Sequence, residues 1–352
     1  MKRFVQQVLG LWLAVFAALA TAPAQSQTSS FMSDIDIYAT TNSATAKPNV
    51  LLVVDNTGNW SSLFTKEMAA ISQVIGAIPA NSIRLGVMMF TESGNPNTGT
   101  DGGYIRSAMR DLTPEYKTRL QALFSPTGLD SNRDQSNAGK AAWAMAEAYY
   151  YFAGKAPVTG NTKAKTDRAD YATVNPINAT TFKASTNIYS LGSNALPNFN
   201  STRYNTFPQD ACSGNFIIFI SNGPTQDPSS DNDAASLALT QAYGGLSASR
   251  PTDITGLNPS GSQINVADEW ARFMRRTAPE AVQTFTVDIS PKTTNAGLGW
   301  SALLASMAGN SNGEYIAVNT TNDEADAGTK IANALGSVFN QILAKDGTFA
   351  SA

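Results

Sequence analysis

Four nearly unbroken apolar runs limit what this chain can become: NVLLVVD at 49–55, IRLGVMMF at 83–90, NFIIFIS at 215–221 and VQTFTVDI at 282–289. A strand with one wet face alternates apolar and polar residues. A strand covered on both faces does not, and such strands belong to parallel sheets held between layers of helices. The run EYIAV at 314–318 reads as a shorter fifth strand, and the more polar YIRSAM at 104–109 as an edge strand. Helical spacing falls between these runs. Leu63, Met68, Ile71, Ile75 and Ile78 follow it, as do Ala141, Met145, Ala148 and Phe152, and segments 234–243, 266–274, 300–307 and 325–343. Strands alternating with helices form right-handed βαβ units. The expected architecture is an α/β fold: a doubly wound, mostly parallel sheet with helices on both faces and one antiparallel edge strand.

That topology sends the loops after the strands to one rim, where open α/β sheets bind their ligands. The first strand ends there in VVDNTGNW, residues 53–60, with Asp55, Thr57 and Asn59 at alternate positions. A carboxylate followed by small oxygen-bearing side chains at a strand end suits a hard cation. The stretch 153–212 leaves instead at the opposite rim. It is rich in Asn, Thr, Ser and Ala. A connection of that length is expected to be functional or mobile, with mobility the default, and 153–205 to be cut by protease before the sheet.

Charge and residue counts exclude several chemistries. Net charge is −3, so no basic field exists to hold nucleic acid or an anionic membrane. There is no histidine, which removes Ser-His-Asp and Cys-His catalysis and His-ligated zinc. No glycine-rich phosphate loop follows a strand. Asp55 also sits where an aspartyl-phosphate phosphatase carries its nucleophile, but Thr57 stands where the general acid would be, so no enzyme is expected. Cys212 is the single cysteine. It is expected to be a buried free thiol, or else to pair with another chain.

The amino terminus reads as a secretory signal over 1–24. Lys2 and Arg3 precede an apolar stretch from Leu9 to Ala20, too short to span a bilayer, and Ala22-Pro23-Ala24 fits a cleavage site before Gln25. Residues 25–47 read as a linker, and no later segment is long and apolar enough for a membrane helix. The domain proper is expected over 48–345.

A strand ending in D-x-T-x-N that opens a doubly wound sheet resembles the von Willebrand factor A domain, whose metal-ion-dependent adhesion site begins D-x-S-x-S. The phrases PNVLLVVDNTGNW, AEAYYYFAG, CSGNFIIFISNG, DEWARFMRRT, VQTFTVDI, LLASMAGNSNGEYIAVN and SVFNQILAKDGTFASA are together similar to the amino-terminal half of the PilY/PilC proteins, adhesin and biogenesis factors of type IV pilus tips. The resemblance runs from about Pro48 onward. It implies an exported module in the periplasm, at the pilus tip or on the cell surface. It also implies protein partners: pilin or minor pilin subunits, a surface protein, or a separate propeller-containing chain. Members of that family continue into a β-propeller, so 346–352 reads as the truncated start of that connection. A generic secreted A domain and a truncated, non-functional fragment are the alternatives.

The resemblance also implies a ligand set. The first loop supplies Asp55, Thr57 and Asn59. The third loop, ISNGP, has Asn222 where the family has Asp, so one carboxylate is replaced by an amide. The middle loop offers only Thr127, Ser136 and Asn137, and Trp60 crowds the rim. A site with one carboxylate is expected to hold Mg²⁺ or Ca²⁺ weakly. No tightly bound cofactor is expected. The residues favour a metal-free cleft in which Asp55, Asn59 and Asn222 cap helices and join the loops.

Overall fold

The computed structural model describes residues 47–57, 61–91, 102–126, 128–129, 136, 140–159, 188–191, 193–196, 202–209, 213–223, 229–259, 264–291, 296–321 and 323–349. The expected signal segment and all of the linker except Lys47 lie outside them. The strands are β1 (Asn49–Val54), β2 (Arg84–Thr91), β3 (Gly102–Asp111), β4 (Asn215–Ser221), β5 (Gln283–Ile289) and β6 (Tyr315–Val318). They form a six-stranded sheet in the order β3-β2-β1-β4-β5-β6. All neighbours are parallel except β2 and β3, which are antiparallel with a register shift between Leu85 and Val87. The doubly wound, mostly parallel α/β fold with one antiparallel edge strand is therefore what the chain adopts.

The apolar runs become the inner strands because both faces are covered. Val50, Leu52 and Val54 of β1 enter one core with Ile218, Ile220, Phe285 and Val287. Leu51 and Val53 enter the other with Ile217 and Phe219. Helices α1 (Ser62–Ala77), α2 (Pro114–Leu123) and α7 (Ala327–Phe349) close the first core. Helices α3 (Ala141–Phe152), α4 (Ser229–Ala242), α5 (Ala267–Arg276) and α6 (Ala296–Asn310) close the second. Helix α3 lies close to the edge strand because small residues meet there: a Cβ added to Gly103 would stand 3.0 Å from the Ala144 Cα. Among the described residues, no helix is long and apolar enough to cross a membrane.

Three features depart from expectation. Helix α2 has only Tyr116, Leu120 and Leu123 buried, too sparse a stripe to announce itself. Its start is nonetheless written as Thr113-Pro114, and the Thr113 side chain accepts a bond from Tyr116 N at 3.2 Å. The last helix runs to Phe349, past the helical pattern read over 325–343. The described parts of the long connection are anchored rather than loose. Ile188 joins the first core, while Ala195, Leu196, Tyr204 and Phe207 join the second. These residues straddle β3: Arg110 donates to Ser193 O and Asn194 Oδ1, and Thr159 Oγ1 donates to Gly103 O at 2.9 Å. The edge strand is thus buried over Gly102–Met109.

Helix α5 carries a buried acid at its start. Asp268 accepts bonds from Ser306 Oγ at 2.6 Å and Glu269 N at 3.0 Å, and burial pushes its carboxyl up to about 6 against those bonds. An acid whose pKa rises on folding binds its proton more tightly in the folded chain. Its contribution is whole below the ordinary value of 3.8 and is lost as pH climbs through about 6. At about 1.4 kcal/mol per unit, Asp268→Asn is expected to remove up to about 3 kcal/mol of the fall in stability over that window. Urea unfolding at stepped pH reads this directly. Parallel profiles for the two proteins would show that Asp268 titrates normally.

Candidate functional site

Strand order reverses direction between β1 and β4, and the carboxyl ends of the strands at such a reversal are where open α/β sheets bind their ligands. Asp55 is the first residue beyond β1. It is fully buried, and its backbone N–H bonds Ile220 O at 3.0 Å, extending the β1–β4 ladder. One carboxylate oxygen accepts from Thr57 N at 3.0 Å and Thr57 Oγ1 at 2.6 Å. The other accepts from Ser221 Oγ at 2.7 Å. Ser221 Oγ accepts in turn from Trp300 Nε1 of α6 at 3.0 Å. Asn56 extends the other side of β1: its amide accepts from Phe90 N at 2.7 Å and donates to Phe90 O at 2.8 Å. Ser136 N donates to Asn56 O at 3.0 Å, and Thr57 bridges Ser136 in parallel register. Three segments distant in sequence therefore meet at residues 55–57, 136 and 221–223.

Asn222 links its loop to a helix. Its Nδ2 donates to Glu67 Oε2 at 3.1 Å, tying the third loop to α1. Glu67 is 0% exposed, and its other oxygen, Oε1, is buried with no hydrogen-bond partner. Burial drives the Glu67 carboxyl well above the ordinary glutamate range. The charge of Asp55 pushes the same way, and the Asn222 bond opposes both. Asp55 is also raised, by burial, against the bonds from Thr57 and Ser221.

Of the residues singled out in sequence, Asp55, Thr57 and Ser136 come together here, with Asn222 alongside through Glu67. Asn59, Trp60, Thr127, Asn137 and Cys212 lie outside the described residues. Asp55 does not cap α1. The N-cap residue is Ser61, whose side chain makes no capping bond, and both oxygens of Asp55 are committed to Thr57 and Ser221. The acid at the strand end joins two loops instead.

No protein-family model matches the sequence, and no curated protein matches it. Solved structures do. Proximal thread matrix protein 1 from the mussel byssus is similar at 9% identity and a TM-score of 0.36, over 82% of this chain and 47% of that one. A mutant of the PilB minor pilin from Streptococcus sanguinis is similar at 11% identity and 0.37, over 88% and 64%. The pilus adhesin SpaC from Lactobacillus rhamnosus GG is similar at 10% identity and 0.37, over 85% and 31%. The chain spans less than two thirds of the length of each.

Four residues of the site were not identified from sequence: Asn56, Glu67, Ser221 and Trp300. Ser221 and Trp300 read as the last residue of a strand and a helix core position. Glu67 did leave a signal. In LFTKEMAAI it occupies the same stripe as Leu63, Phe64, Met68 and Ile71, all buried, and a charge in a buried stripe marks a site or a partner. The donors present are all oxygens: two carboxylates, the hydroxyls of Thr57 and Ser221, and the Asn222 amide. Hard cations accept that donor chemistry, and the orphaned Glu67 oxygen is where such a set is incomplete. Among the described residues, no group of three His, Cys, Asp or Glu side chains could hold a metal ion. An ion at this rim would therefore rest on two carboxylates and neutral oxygens.

Proposed function

We propose that the chain is an exported protein-binding module of the von Willebrand factor A type, acting in type IV pilus assembly or adhesion, with the rim around Asp55 as its binding face. The observation that carries this reading is the Asp55–Thr57 end of β1, buried at the strand-order reversal and bonded to Ser221 of β4. Ligands of open α/β sheets bind at such a reversal. The phrases that resemble the PilY/PilC proteins run along the whole sheet in order, which supports the pilus assignment. The leader over 1–24 supports export. The partner class is pilin or minor pilin subunits, or another surface protein. The module acts by binding rather than catalysis, since Thr57 offers no general acid two residues after Asp55.

Two arginine substitutions test the binding face. Ser62 is exposed at the start of α1 on the Asp55 rim, and Thr277 is exposed past the end of α5 on the opposite rim. Purified pili are passed over the immobilised mature chain. Ser62→Arg is expected to weaken binding at least about tenfold, the loss of roughly 1.4 kcal/mol, and Thr277→Arg to leave it unchanged. Equal binding by both variants would move the interface elsewhere. No binding by the parent chain would remove the pilus reading.

A further inference from the structure

We propose that the rim opposite Asp55 holds a second binding site, a cavity that takes a small zwitterion of the amino-acid kind, with Arg275 and Lys345 for its carboxylate and Glu280 for its ammonium. The cavity has a volume of about 430 Å³, within the usual range of small-molecule sites. It lies at the amino ends of β4 and β5, where the last turn of α5, the turn after α6 and the end of α7 meet. Phe216 lines it and packs obliquely on Phe285, with ring centroids 6.3 Å apart. The Lys345 Nζ sits 5.0 Å from the centroid of the Phe285 ring. The walls are fastened to one another. Asn215 Nδ2 donates to Glu280 O at 2.8 Å, and Arg275 Nη1 donates to Ala281 O at 2.8 Å. Two residues of the lining, Ala281 and Asn312, hold left-handed backbone at φ 49° and 61°. Alanine adopts that conformation only at a cost, and such strain collects at binding sites.

Charge selects the ligand. Two cations border one cavity in a chain whose net charge is −3. Burial draws the Lys345 ammonium below the ordinary lysine range, the Arg275 charge draws it the same way, and Glu314 opposes both less strongly. An anion beside the two cations relieves that repulsion. One of the five N–H donors of the Arg275 guanidinium goes to Ala281 O, and the planar fork suits a carboxylate. A simple anion does not answer the whole lining, because Glu280 borders the same cavity and repels it. Glu280 Oε2 is shielded from solvent and has no hydrogen-bond partner among the described residues, so this carboxylate has acceptor capacity left for an N–H donor. A molecule with one carboxylate and one ammonium meets both demands and adds no net charge.

The site lies away from the proposed pilus-binding face and is independent of that reading. The test uses the mature chain. Titration calorimetry and thermal unfolding are run with the L-amino acids as probes, and with propionate, ethylammonium chloride and inorganic phosphate as controls. At least one amino acid is expected to bind saturably and to raise Tm by about 5 °C at a hundredfold excess over Kd. Propionate and ethylammonium each carry one half of the recognised pair, and each is expected to bind at least about tenfold more weakly than that amino acid. Arg275→Gln is expected to weaken the amino acid by about tenfold or more. Glu280→Gln is expected to weaken it similarly and to narrow its advantage over propionate. Should Arg275→Gln not fold, Lys345→Met, which keeps an unbranched side chain over Phe285, takes its place with the same expected loss. No saturable binding of any amino acid would overturn the proposal. Binding unchanged by Arg275→Gln and by Lys345→Met would place the ligand elsewhere, which also overturns it. Propionate or phosphate bound as tightly as any amino acid would leave a plain anion site and overturn the zwitterion.

Discussion

Replacing Glu147 with alanine is expected to lower the free energy of unfolding by about 3–5 kcal/mol, a drop in Tm of roughly 10 °C. Glu147 sits on α3 at 0% exposure. One of its oxygens accepts from Thr159 N at 2.8 Å, Val158 N at 3.1 Å and Thr159 Oγ1 at 3.1 Å, and the other from the Tyr204 hydroxyl. A single carboxylate therefore fastens the two ends of the long connection to one helix. Alanine removes the acceptor of the buried Thr159 N–H and one acceptor of the Val158 N–H and of the Thr159 and Tyr204 hydroxyls, at about 1–3 kcal/mol for each that water cannot reach. Glu147→Gln keeps one acceptor oxygen but turns an amide nitrogen toward donors, so an intermediate loss is expected. Urea unfolding measures both variants. Amide exchange at Val158, Thr159 and Tyr204 is expected to accelerate ahead of exchange in β1. A loss below about 1 kcal/mol for the alanine variant would mean that the connection is held by its apolar anchors alone.

Trp300→Ala is expected to cost about 3–5 kcal/mol, the usual range for emptying a buried tryptophan site. Trp300 is 1% exposed, stacks obliquely on Phe219 with ring centroids 6.5 Å apart, and donates to Ser221 Oγ. The indole supports both the second core and the site, because the hydroxyl it holds is the one that reaches Asp55. Trp300→Phe separates the two roles. It keeps most of the packing and removes the donor, and about 1–1.5 kcal/mol is expected for that bond. Chemical denaturation of the three proteins gives the comparison. Equal losses for Phe and Ala would assign the whole effect to packing defects and none to the Ser221 bond.

These two positions show where sequence reading reaches its limit. The strands β1, β2, β4 and β5 were legible to within a residue or two, because burial on both faces leaves no choice but an apolar run. Asp55 was legible for a related reason, since a carboxylate that ends such a run has nowhere to be but the rim. The anchors of the long connection were not. Ile188, Leu196, Tyr204 and Phe207 are single residues without period, and their partners on α3 and in the two cores lie far away in the chain. Glu147 likewise reads as one charge in an alanine-rich helix until Val158, Thr159 and Tyr204 are brought against it.

The site divides along the same line. Residue order along β1 placed Asp55 and Thr57 side by side, because local spacing governs which groups leave a strand end together. Which hydroxyl completes Asp55, and which acid stands beside it, is settled by the crossing of β4, α1 and α6 over that strand end. In the sequence only the place of Asn222 in the third loop is visible. In the fold it is the residue that joins that loop to Glu67, since α1 brings a buried carboxylate to it from 155 positions away. Apolar periodicity decides which elements form and which faces they bury. Polar contacts between those elements follow from their packing, and no pattern within one element records them.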